Sequence, residues 1–118
     1  PNEKWDGMTV NSREKGARAE REAVKLITDL SGYRITRTRT PGQAADIGDL
    51  SGLPQAVVEV KDWANNGAAV RAALPQARAA AERLGVPYPT AWIRMVGGFW
   101  FVAMEPAVFL ELHREAVA

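Results

Sequence analysis

The chain has 118 residues, is 47% hydrophobic and 25% charged, and has no cysteine. These values predict a single water-soluble globular domain spanning 1–118. They exclude a disulfide framework, a thiolate metal site and a membrane span, since no apolar run approaches the ~18 residues a span needs. The net charge of +1 conceals an asymmetry: residues 1–40 hold nine Lys and Arg against six acids, and the remainder is acidic. A polyanion would therefore meet the N-terminal third.

Residues 1–10 are rich in turn formers and lack a period, so they read as a loose arm. Asn11 or Ser12 can cap a helix, with Glu14 completing a capping box, and the helix is predicted to run to Ser31 and stop at Gly32. Its apolar stripe is Ala23, Val24, Leu26, Ile27 and Leu30, which sets Glu20 at the upstream end of the buried face. Such a carboxylate is either functional or an edge residue paired with Arg21 or Lys25. Tyr33 to Thr40 alternates as a strand with Arg37 and Arg39 on one face. Paired arginines entering Pro41-Gly42-Gln43 suit phosphate contacts; equally, they suit a solvated edge strand.

The next stretch, Asp46 to Lys61, reads as two short strands around the turn Ser51-Gly52-Leu53-Pro54. Alternation puts Glu59 and Lys61 on one face of the second strand, and the fold-back brings Asp46 beside Glu59. Clustered carboxylate oxygens are the ligands Mg²⁺ or Mn²⁺ prefers, and a neighbouring ammonium can orient a nucleophile or neutralise an oxyanion in phosphodiester hydrolysis. The alternative is an exposed Glu and Lys on the wet face of a half-buried strand.

Asp62 to Gly67 reads as a loop, and Ala68 to Leu84 as an alanine-rich helix broken or restarted at Pro75, with Gln76 in the first turn of the later piece. Pro89–Met95 and Phe99–Met104 form a predicted hairpin over Val96-Gly97-Gly98. Its aromatics Trp92, Phe99, Trp100 and Phe101 serve a core or a dimer interface. Pro106 opens a last helix, amphipathic through Val108, Phe109 and Leu112, and the lone histidine, His113, is expected at its surface. The predicted order is αβββαββα.

Lys15-Gly16-Ala17-Arg18-Ala19-Glu20-Arg21-Glu22, then Val24-Lys25-Leu26 and Gly32-Tyr33, resembles the opening of the archaeal-type Holliday junction resolvases and their phage relatives. Their first helix reads K-G-x-x-x-E-R-E and ends at G-[FY], and they belong to the PD-(D/E)XK nuclease superfamily. The order that follows, a basic strand, a turn, an Asp and E-V-K, is also theirs, so the resemblance covers residues 15–61 closely. It implies a restriction-endonuclease-like mixed sheet flanked by helices, and a Mg²⁺-dependent homodimer, for which Mn²⁺ can substitute, cutting four-way DNA junctions inside a cell. Flap, repair or restriction-like cleavage is the alternative within the superfamily, and a silent DNA-binding module the alternative outside catalysis. Residue by residue, the resemblance makes Glu20 the helix carboxylate, Asp46 and Glu59 metal ligands, the Val60 carbonyl a further ligand and Lys61 the catalytic lysine. Lys15 and Arg21 would meet the DNA backbone together with Arg37 and Arg39, and Gln76 would face the site. Ala45 stands where the proline of the motif name would be.

Overall fold

The computed structural model describes residues 10–38 and 47–118. The elements run α1 (Val10–Ser31), β1 (Thr36–Arg37), β2 (Leu50–Ser51), β3 (Ala56–Lys61), α2 (Asn66–Leu84), β4 (Tyr88–Arg94), β5 (Trp100–Ala103) and α3 (Pro106–Val117). This is an α/β fold with one open five-stranded mixed sheet in the order β1-β2-β3-β4-β5. Only β3 and β4 run parallel, because α2 carries the chain back across the sheet between them; the other neighbours are antiparallel.

Alternation along β3 divides the core. Val58 and Val60 join Leu50 and Ile35 against Ala19, Ala23 and Ile27 of α1, whereas Val57 packs on Ala77, Ala80 and Ala81 of α2. A third cluster sets Ala91 and Ile93 of β4 against Ala69 and Ala73. The buried ridge of α1 is thus Ala19, Ala23 and Ile27, one turn upstream of the predicted stripe. Val24 only flanks it, and Leu30 is 78% exposed, since no described strand lies beneath the last turn. The helix does stop at Gly32, whose φ of 80° ends the spiral while its N–H donates to the Thr28 carbonyl.

α2 does not break at Pro75 as predicted: it is one helix from Asn66 to Leu84. A proline removes a single intrahelical hydrogen bond. Against that loss stand an Asn65 cap on the Ala68 N–H, a left-handed Gly85 at the other end, and five buried alanines that let the helix lie close to the sheet. Of the strand predicted over Tyr33–Thr40, Thr36 and Arg37 alone among the described residues are in the ladder; Arg39, Thr40 and Asp46 lie outside the described residues.

The β4–β5 hairpin turns where expected, with Gly97 and Gly98 both at positive φ and Met95 N–H donating to the Phe99 carbonyl. Trp92 and Trp100 pack on the α1 side of the core and Phe101 on the α2 side, so of the two roles open to the hairpin aromatics these three serve the core. Exposed apolar groups of this end of the chain include Val96, Phe99 and Val102 of the hairpin and Phe109 and Leu110 of α3. α3 buries no residue fully and is tied to the body by the Arg78–Glu105 ion pair; His113 is exposed on it, as expected.

Candidate active site

The site is built where the short β2 meets β3. Leu50 pairs with Val58, so one step further from the turn sets Asp49 alongside Glu59 and not on the opposite side of the sheet from it. Asp49 is pinned there: its N–H donates to the Val58 carbonyl at 2.9 Å, and its Oδ2 accepts from the Val60 N–H at 2.8 Å. From the other flank the Thr38 N–H donates to the Asp49 carbonyl and the Thr38 hydroxyl to the Gly48 carbonyl at 2.7 Å. Gly48 makes the approach possible, since a Cβ there would stand 2.8 Å from the Val57 side chain at a φ of +90°.

Glu59 is 4% exposed. Burial raises its pKa most, followed by the charge of Asp49 and a hydrogen bond to it; Lys61 pulls the other way and loses, leaving Glu59 pushed up to about 8. Glu59 therefore keeps its proton at neutral pH when no cation is at hand. Glu20 arrives from α1, just past the buried Ala19. Its pKa is also raised, by burial and then by Asp49, against the pull of Arg37 and Lys61. Its partner is neither Arg21 nor Lys25 but Arg37, whose Nε donates to Oε1 at 2.9 Å.

Two clefts open on either side of this cluster. One, of about 480 Å³, is lined by Asp49, Glu59 and Lys61 with Gln76 and Arg83 of α2. The other, of about 590 Å³, is lined by Lys15, Glu20, Arg37, Asp49, Lys61 and Trp63 among others. Asp49 and Lys61 line both. Arg21 stands apart from the acids, in a hollow it shares with Thr36, Arg37 and Thr38. Of the residues singled out from the sequence, the structure thus brings together Glu20, Glu59, Val60, Lys61, Lys15, Arg37 and Gln76 around the two clefts. Asp49, Trp63 and Asp62, which salt-bridges Lys15 at 3.8 Å, were not foreseen. What sets Asp49 beside Glu59 is the Leu50–Val58 register, which the turn residues alone do not give.

Among the described residues no three His, Asp or Glu side chains converge closely enough to hold a metal ion by themselves. The donor set that is present, Asp49 and Glu59 with Glu20 in electrostatic reach, nevertheless fits a hard divalent ion. It offers carboxylate oxygen and no sulfur or imidazole, and the raised pKa values of Glu20 and Glu59 mark a place where positive charge is wanted. Asp49 and Glu59 would be its ligands.

The raised Glu59 pKa has a consequence for stability. The folded chain keeps a proton on Glu59 that the unfolded chain, with an ordinary carboxylate, releases near its usual pKa. That stabilisation is complete at low pH and is lost as pH rises towards about 8. At about 1.4 kcal/mol per pH unit for each such proton, the expected loss in EDTA is on the order of 2–4 kcal/mol between pH ~5 and ~8. Urea titrations of Glu59→Gln should lack this slope, and a wild-type slope in that variant would remove Glu59 as its source.

No protein-family model, no curated protein and no solved structure matches this chain.

Proposed function

We propose that the chain is a divalent-metal-dependent DNA endonuclease with a restriction-endonuclease-like core, and within that class a Holliday junction resolvase acting as a homodimer. The observation that carries the reading is the Asp49–Glu59 pair with Lys61 two residues on, all lining one cleft, and Glu20 coupled to them from α1. The role that sequence spacing offered to Asp46 falls to Asp49. A carboxylate as buried as Glu59 beside a second one would be a burden without a cation, since burying charged groups uncompensated is costly.

A bound Mg²⁺ or Mn²⁺ would supply an activated water and Lewis acidity at the phosphate. The chain's own groups divide the remaining work. The Val60 N–H fixes one Asp49 oxygen and so orients the carboxylate; the Lys61 ammonium faces the charge developing on the phosphate; Gln76 lines the same cleft from α2 and can donate to a phosphate oxygen. Lys15 and Arg37 line the second cleft, where the DNA backbone would run. Arg37 is at present bonded to Glu20, so a phosphate arriving at its guanidinium would compete with that bond.

One chain offers one such set, whereas a junction has two equivalent strands to cut, so the active unit is a two-fold dimer. Phe99, Val96 and Val102 of the hairpin and Phe109 and Leu110 of α3 are the exposed apolar groups an interface would cover. Sedimentation is expected to give about twice the 12.9 kDa of the single chain, and a labelled four-way junction to yield paired, symmetric nicks in Mg²⁺. Monomers on the junction, or equally fast cutting of linear duplex, would leave a nuclease of other specificity.

A further inference from the structure

We infer that Trp63 is a stacking platform for an unpaired nucleobase, so that the site selects DNA in which a nucleotide beside the cut phosphate is out of the duplex. The inference rests on the nuclease reading above and adds a specificity-determining residue to it.

Trp63 lies in the short connection between β3 and α2, whose far end is fixed by the Asn65 cap on the Ala68 N–H at 2.9 Å. It belongs to none of the three core clusters and stays 43% exposed. The two tryptophans of the hairpin are spoken for: Trp92 donates to the Thr90 hydroxyl at 2.9 Å and Trp100 to Glu22 at 2.6 Å. Trp63, by contrast, makes no hydrogen bond among the described residues; its one directed contact is with Lys61, whose Nζ stands 5.5 Å from the ring centroid. It also lines the cleft that holds Lys15, Glu20, Arg37 and Asp49.

A large flat apolar group held at the mouth of a charged cleft does nothing for the core. It does match a ligand that is flat on one side and anionic on the other. The Lys61–Trp63 separation is of the order that divides a nucleotide's phosphate from its base, so a phosphate at Lys61 leaves its base within reach of the indole. A base inside a duplex already has both faces stacked and cannot use the platform without being extruded; an unpaired one can, at no such cost. Lys61 covers one face of the ring, and the exposed remainder is what a base would meet.

The test is fluorescence anisotropy in EDTA, where binding proceeds without cleavage. The probes are a duplex of about 20 base pairs and the same duplex carrying about three unpaired thymidines. Wild type is expected to prefer the second by about tenfold, Trp63→Ala to lose that preference, and Trp63→Phe to keep most of it, because phenylalanine still offers an aromatic face. A preference that survives in Trp63→Ala, or one lost equally in Trp63→Phe, overturns the inference. Cleavage by wild type and Glu59→Gln in Mg²⁺, scored separately, shows whether the nuclease reading stands. No binding of either probe by wild type would overturn the inference and leave the nuclease reading to the cleavage assay.

Discussion

Asp49→Asn and Glu59→Gln are each expected to lower the rate of junction cleavage in Mg²⁺ by at least about a thousandfold while leaving DNA binding in EDTA intact or tighter. Both substitutions keep the shape of the side chain and remove the charge that would hold the ion. Lys61→Ala should act on the chemical step as well, by about a hundredfold or more, since it removes the one ammonium that, among the described residues, lines the first cleft with Asp49 and Glu59. Glu20→Gln belongs in the same series, because its carboxylate is coupled to Asp49. The comparison with Asp46→Asn decides which acid of the hairpin serves the site. Full activity in Asp49→Asn with loss in Asp46→Asn would return the role to Asp46, and full activity in Glu59→Gln would end the metal-site reading altogether.

Gly52→Ala is expected to cost about 3–5 kcal/mol of stability, enough to leave little folded protein from a domain of this size. Gly52 sits at φ +113°, and a Cβ there would stand 2.2 Å from the Arg34 carbonyl oxygen, closer than any backbone can allow. Two penalties therefore combine, the strained dihedral and the collision with main chain that cannot swing aside. Gly85→Ala is the control. Gly85 also has a positive φ, +69°, but a Cβ there meets nothing within 4 Å, so only the dihedral penalty of about 1 kcal/mol remains. Equal losses in urea midpoint for the two variants would show that the Arg34 contact does not constrain the turn.

The elements themselves were legible because their signals are local. Gly32 ends α1, Gly97 and Gly98 turn the hairpin, and the alternation of Val57, Val58 and Val60 splits β3 between two helices. The functional cluster was legible only where two residues share one strand, as Glu59 and Lys61 do. Asp49 was not singled out because the register was not weighed: with Leu50 opposite Val58 it falls beside Glu59, while Asp46 lies outside the described residues. The Glu20–Arg37 bond joins residues 17 apart in sequence and depends on how α1 crosses the sheet, which no periodicity encodes. Trp63 carried no signal at all, since its interest lies in being left outside the core.

The unequal lengths of the strands bear on how the site would come apart. β3 and β4 pair over six consecutive positions with α2 laid across them, whereas β1 and β2 hold two residues each. Amide hydrogens on β3 and β4 should exchange only through near-global unfolding, and those of β1 and β2 through cheaper local opening. The boundary between these regions passes through the candidate site: Glu59, Lys61 and Gln76 belong to the slow unit, Asp49 and Arg37 to the fast one. A fluctuation that lifts β1 and β2 would part Asp49 from Glu59 while the rest of the domain stays folded. Occupation of the site by a cation would then read out first as slower exchange at the Asp49 amide.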